Sequence, residues 1–127
     1  MDNYTRKIVE VKKIVDGDTV DLVVDLGYTI TITDRFRMEG YDAPETYRPK
    51  SDAEREAGLK VKEKLETLLS NADQLYVKSS KTGKYGRYLA TIYSVQPIGN
   101  DFKTIDINQE IVEFMADNGL TKEDIGE

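Results

Sequence analysis

The sequence predicts an α+β fold: a small Greek-key β-barrel of five strands, with one helix between the third and fourth strands and a second helix at the C-terminal end. Apolar residues alternate with polar ones in five short stretches, which is the period of a half-buried strand. In two other stretches they recur every three or four residues, as on a helix. A chain of 127 residues holds one hydrophobic core, so we expect a single domain over residues 1–127.

The first three strands fall in the N-terminal third of the chain. Residues 6–15 (RKIVEVKKIV) mix β-branched residues with charges, which is typical of a strand with one solvated face. Apolar residues then occupy even positions from Val20 to Leu26, and Gly27 interrupts them. The same parity continues from Tyr28 to Met38, so we expect the second and third strands to form a hairpin or a meander.

A change of period marks the first helix. Ser51 and Glu54 have the spacing of a capping box. The apolar face that follows consists of Val61, Leu65, Leu68, Leu69 and Ala72, and it predicts an end near residues 71–73. Gly58 costs a helix about 1 kcal/mol relative to alanine, which favours a start one turn after Ser51.

The remaining elements are two strands and a helix. Residues 75–79 and 88–95 alternate as strands, and a turn at residues 99–101 leads towards a last helix with Asp106 as N-cap and Gly119 as C-cap. Five strands with a helix between the third and fourth is the order of an OB-fold, a barrel whose face and loops often bind oligonucleotides, and other α+β sheets share this order.

Composition excludes several kinds of chemistry. The chain has no cysteine and no histidine, so disulfides, Cys or His zinc sites and catalysis by imidazole or thiolate are excluded. A metal would have to be held by oxygen, which points to calcium or magnesium. No apolar run approaches the roughly 18 residues of a membrane span, and the first residues, MDNYTRKIVEVKK, lack the apolar core of a signal peptide. We therefore expect a cytoplasmic protein with no membrane partner, while a secreted form whose leader has been removed stays open.

The charge balance gives a mixed signal. With 18 basic and 24 acidic residues the net charge is −6, which argues against a dedicated nucleic-acid binder. The segment KSSKTGKYGR at residues 78–87 nevertheless holds four basic residues and no acidic one. Because local charge decides where an anion binds, the net charge does not exclude nucleic acid.

Three short motifs could carry chemistry, and each also has a plain structural interpretation. In VDGDTV, Asp18 shares the parity of the apolar face, where a carboxylate needs a partner, water or a metal; an Asp-Gly-Asp surface turn is the alternative. The segment FRMEGYDAPE brings Arg37, Asp42 and Glu45 together after a strand, and a turn fixed by proline is its alternative. The segment KYGR could be a basic hairpin tip.

Taken together, the motifs resemble the staphylococcal nuclease family of OB-fold nucleases. The matching pieces are DGDTV at 16–20, FR at 36–37, DAPE at 42–45 and KYGR at 84–87 followed by LATIY at 89–93. They occur in the family's order with similar spacing, and the resemblance runs from about Ile8 to Leu120.

The resemblance implies a calcium-dependent nuclease that cleaves DNA and RNA, preferably single-stranded, and works as a monomer with one calcium ion. It implies that the carboxylates of Asp18 and Asp42 and the backbone carbonyl of Ala43 bind the calcium, with Asp16 behind them. Glu45 corresponds to the family's general base, Arg37 and Arg87 to its phosphate-binding arginines, and Lys84 and Tyr85 to residues that contact the nucleotide. Because the family's best-known member has threonine at the position of Ala43, we expect weaker metal binding here.

The residue types suit phosphodiester hydrolysis independently of the resemblance. Two planar guanidinium groups can neutralise the phosphate, and a carboxylate can accept a proton from the attacking water, so histidine is not required. Two other classes stay open: a non-catalytic module of the same family that binds nucleic acid or protein, and an OB-fold interaction or inhibitor module, which the net charge favours.

Overall fold

The computed structural model describes residues 5–82 and 86–126, with the backbone alone at residues 81 and 82. Its elements are β1 (Thr5–Asp16), β2 (Thr19–Gly27), β3 (Ile30–Met38), α1 (Asp52–Ser70), β4 (Gln74–Thr82), β5 (Tyr88–Ile98), β6 (Asp101–Asp106) and α2 (Ile107–Asp117). No described helix combines the length and the apolar character that crossing a membrane requires.

The first five strands close into a barrel. β1 pairs antiparallel with both β2 and β4, β2 pairs with β3, and β4 pairs with β5. A short parallel ladder between β3 and β5, with Phe36 opposite Tyr88 and Met38 opposite Ala90, joins the two ends. A five-stranded barrel with a helix between strands three and four and a helix near the C-terminus confirms the predicted fold class.

A sixth strand was not predicted. After a turn in which Gly99 takes a positive φ of 58°, β6 pairs with β5, with Phe102 opposite Pro97. Its first four residues are exposed, so it has no apolar face to produce an alternating pattern. The sequence therefore showed only the turn and the helix that follows.

The core lies between the inner face of the barrel and the two helices. The even-numbered residues Val20, Leu22 and Val24 of β2 are buried, as their parity predicts. The helices add the fully buried residues Val61, Leu65, Ile107 and Ile111. One contiguous cluster contains all of these residues, which fits one domain.

Helix α1 begins where its capping box lies. Ser51 Oγ accepts a hydrogen bond from Glu54 N at 3.1 Å, and Glu54 Oε1 accepts one from Lys50 N at 2.7 Å. The expected start one turn later is therefore wrong, and Gly58 lies inside the helix. A Cβ at Gly58 would lie 2.6 Å from the carbonyl oxygen of Pro44, so the glycine lets the loop after β3 rest on the helix.

Helix α2 is attached to the barrel seam by a buried asparagine. Asp106 caps the helix by accepting from Gln109 N at 3.0 Å, as predicted. The Asn108 amide donates to the carbonyls of Glu39 and Ala90 at 2.8 and 2.9 Å, and its oxygen accepts from Ile92 N at 2.9 Å. One side chain thus joins α2, β5 and the end of β3.

Candidate active site

The turn between β1 and β2 is packed from two sides. A Cβ at Gly17 would lie 2.7 Å from Cγ1 of Val61 on α1 and 2.9 Å from Cβ of Ala43, so only glycine fits. The hydroxyl of Tyr41 donates to the Gly17 carbonyl at 2.7 Å, and burial raises the pKa of this phenol far above its ordinary value. The turn and the loop after β3 are therefore held against each other.

Asp18 lies at the centre of this arrangement and is 5% exposed. Its carboxylate accepts hydrogen bonds from Ala43 N at 2.8 Å and from the hydroxyl of Thr19 at 3.0 Å. Nη2 of Arg37 lies 3.2 Å from its Oδ2 atom. A buried carboxylate needs such partners, and here three groups share the task.

Arg37 joins Asp18 to the exposed end of the site. The same Nη2 atom that faces Asp18 also donates to Oδ1 of Asp42. The side chain of Asp42 is 63% exposed and that of Arg37 is 27% exposed. One guanidinium nitrogen thus bridges two carboxylates that are 24 positions apart in the sequence.

This bridge tests whether the site fits the expected calcium. Because one cationic atom contacts both carboxylates, their oxygens lie within reach of a single ion, and calcium binds oxygens at about 2.3–2.6 Å. The donor set of two carboxylates suits a hard cation. Within the described residues, however, no group of three or more Asp, Glu, His or Cys side chains gathers, so other ligands would have to be carbonyl, water or phosphate oxygens.

Asp16 is hydrogen-bonded to the loop after β3. Its Oδ1 accepts from Thr46 N at 3.2 Å and also from the Thr46 hydroxyl. No ion pair joins Asp16 to Arg37 among the described residues. Its supporting role behind the metal ligands therefore stays a prediction.

Glu45 is an exposed residue of this loop, between Ala43, which is hydrogen-bonded to Asp18, and Thr46, which is hydrogen-bonded to Asp16. Partial burial raises the pKa of its carboxyl group above the ordinary value, and the negative charges of Asp16 and Asp18 add to the increase. The charge of Lys122, beyond α2, acts in the opposite direction. A carboxyl group with a raised pKa holds its proton more strongly, which is the direction that favours a general base.

Of the nucleotide-binding residues predicted at positions 84–87, the structure describes Arg87 but not Lys84 or Tyr85. Arg87 is exposed and immediately precedes β5, the strand that pairs with β3 at the position of Arg37. Its pairing with Arg37 on a phosphate stays a prediction. Lys84 and Tyr85 lie outside the described residues, so their roles stay predictions.

Several residues that shape the site could not be identified from the sequence pattern. Tyr41, Thr46 and Lys122 act through backbone contacts or through charge across the fold, which local spacing does not reveal. Gly58 did have one: a glycine inside a strong helical pattern often marks a close approach of another segment. The Arg37 bridge depends on how the end of β3 faces the turn before β2, and it was not predicted.

A family model described as "Staphylococcal nuclease homologue" matches residues 35–123. The match covers well over half of the chain and contains Arg37, Asp42, Glu45 and Arg87, while Asp16 and Asp18 precede it. A search of curated proteins found no match for this chain.

Proposed function

Because this chain belongs to the staphylococcal nuclease homologue family, we propose that it is a calcium-dependent nuclease. It would hydrolyse single-stranded or loosened DNA and RNA, acting as a cytoplasmic monomer with no membrane partner. The observation that carries the proposal is the contact of Asp18, Arg37 and Asp42 beside the loop of Glu45. One calcium ion held by Asp18, Asp42 and the Ala43 carbonyl would polarise the phosphate.

The arginines neutralise the substrate. A phosphodiester resists attack because its own negative charge repels a nucleophile. Arg37 and Arg87 come from two paired strands, and each guanidinium can donate two parallel hydrogen bonds to phosphate oxygens. Loss of one such donor typically lowers the rate by roughly 10² to 10³.

Glu45 activates the water. Its carboxylate would accept a proton as water attacks in line with the leaving oxygen, a contribution of roughly 10² to 10⁴ in rate. In the cation-free protein its partial burial raises its pKa, which is the direction of a stronger base than an ordinary glutamate. The anchors at Asp16 and Gly58 would fix its position, which matters because attack geometry is a large part of such catalysis.

Substrate affinity should be modest. The net charge of −6 opposes binding of a polyanion, so the basic segment around residues 78–87 has to supply the attraction. Binding should weaken steeply as salt is added, because released counterions drive such contacts.

The test is cleavage of denatured DNA and of RNA at low salt, with Ca²⁺, with Mg²⁺ and with chelator. We expect cleavage that requires Ca²⁺ and that falls at least about a hundredfold in Glu45→Gln. Glu66→Gln, on an exposed position of α1, is the matched control and should retain the wild-type rate. Absence of cleavage by folded protein, or full activity of Glu45→Gln, would refute the proposal.

One observation favours a second candidate, a non-catalytic module of the same family that binds nucleic acid or protein. The carboxylates of Asp18 and Asp42 already form ion pairs with Arg37, as in a purely structural ion cluster. This candidate predicts nucleic-acid binding without cleavage in every metal condition.

A further inference from the structure

Arg37 occupies a position that conflicts with its proposed role. A phosphate-binding arginine must present its guanidinium to the substrate, but Nη2 of Arg37 lies 3.2 Å from Asp18 and also contacts Asp42. These are the two carboxylates assigned to the cation. A divalent ion and the guanidinium cannot share that position, because like charges so close together repel.

The contacts of Arg37 are of unequal strength. Asp42 is 63% exposed, and an ion pair open to water is weak. Asp18 is buried, yet without Arg37 it still accepts from Ala43 N and the Thr19 hydroxyl. Departure of the guanidinium therefore leaves no buried carboxylate without a hydrogen-bond donor.

Arg37 is also placed to move. It is the next-to-last residue of β3, and its side chain is 27% exposed, so the guanidinium has a route to solvent. The backbone around it is fixed, since Met38 N donates to the Asp18 carbonyl at 2.7 Å. A change of side-chain rotamer is enough to take the guanidinium away from the carboxylates.

We propose that Arg37 is an internal competitor of the divalent cation. It pairs with Asp18 and Asp42 when no ion is bound, and an arriving ion displaces it. The displaced guanidinium is then free to bind phosphate, so cation binding and phosphate binding strengthen each other. The competition needs only the two carboxylates, whereas the phosphate step rests on the proposed function.

The chain supplies a matched control on the same strand. Arg35 forms a two-point ion pair with Asp21, with nitrogen to oxygen distances of 2.8 and 3.2 Å, and its side chain is 51% exposed. It has no ion pair with Asp18 or Asp42 among the described residues. Its removal takes the same charge from β3 without touching the bridge.

The experiment is calorimetric titration of Ca²⁺ into the wild type, Arg37→Met and Arg35→Met at fixed ionic strength. We expect Arg37→Met to bind Ca²⁺ more tightly by roughly 5- to 150-fold, the usual range for coupled binding events. Arg35→Met should stay within about twofold of the wild type, because its ion pair is exposed. Circular dichroism checks folding, and Arg37→Gln replaces Arg37→Met if the latter does not fold.

A second titration follows the coupling to phosphate. Thymidine 5′-phosphate should bind the wild type more tightly when Ca²⁺ is present, and this gain should shrink in Arg37→Met. Equal or weaker Ca²⁺ binding by both folded Arg37 variants would overturn the competition. Ca²⁺ binding by the Arg37 variants but not by the wild type would support the competition and refute calcium-dependent catalysis, so the two proposals fail separately.

Discussion

Gly58→Ala tests how the loop of Glu45 is positioned. Alanine favours a helix over glycine by about 1 kcal/mol, so helix propensity alone predicts a more stable protein. The added Cβ would lie 2.6 Å from the Pro44 carbonyl oxygen and 3.2 Å from that of Glu45. Backbone atoms cannot rotate out of the way, so the loop itself must shift.

The size of the shift follows from the contact distances. Restoring an ordinary contact of 3.4 Å moves the Pro44 carbonyl by about 0.8 Å relative to α1. Overpacking of this kind costs about 1–3 kcal/mol, which exceeds the gain in helix propensity. We therefore expect the free energy of unfolding to fall by up to about 2 kcal/mol. A misplacement near 1 Å can cost a hundredfold in rate, so kcat should fall roughly 10- to 100-fold.

Two measurements on two variants separate the effects. Chemical denaturation gives the free energy of unfolding, and hydrolysis of denatured DNA gives kcat. Lys60→Gly, at an exposed position of the same helix, should lose about 1 kcal/mol of stability and keep its activity. A Gly58→Ala protein that is more stable than wild type and equally active would refute the close approach.

Three further predictions concern the barrel seam and two residues of the site. Asn108→Ala should lower the free energy of unfolding by roughly 2–4 kcal/mol, because three backbone groups lose a hydrogen-bond partner. Chemical denaturation measures the loss, with Asn118→Ala, which removes one exposed hydrogen bond, as the control; equal losses in the two variants would contradict the buried role of Asn108. In cation-free protein, NMR titration should place the pKa of the Glu45 carboxyl above its ordinary 4.5, because of its partial burial and its negative neighbours. The pKa should fall in Asp16→Asn, which removes one of those negative charges, and an unshifted pKa would disprove the cause given. Arg87→Lys should lose roughly 10² to 10³ in rate with Ca²⁺ affinity unchanged, because lysine keeps the charge but not the two-point geometry; wild-type turnover would exclude the role.

The sequence predicted the barrel because burial leaves a pattern. β2 faces the core on one side only, so the even parity of Val20, Leu22 and Val24 marked both the strand and its inner face. β6 has exposed side chains at its first four positions, and it exists because its backbone pairs with β5. Backbone pairing leaves no trace in side-chain chemistry, and this strand was missed.

The candidate site likewise contains features that the sequence predicted and one that it did not. Asp18 was recognisable because a carboxylate on an apolar face needs a partner, and Asp42 was assigned through the resemblance of its DAPE motif. The bridge through Arg37 was not, because it depends on where the end of β3 lies relative to the turn before β2. Ion pairs between segments far apart in the chain are set by the fold, so spacing predicts the participants and not their partners.

The loop of residues 42–46 combines firm anchors with one exposed contact. Ala43 is bonded to Asp18, Thr46 is bonded to Asp16, and α1 supports the carbonyls between them at Gly58. The Arg37 contact to Asp42 is the exposed one, open to water and to competing ions. A site that must admit a cation while holding its base still needs this combination, because movement at the anchors would displace Glu45 whereas movement of Arg37 would not.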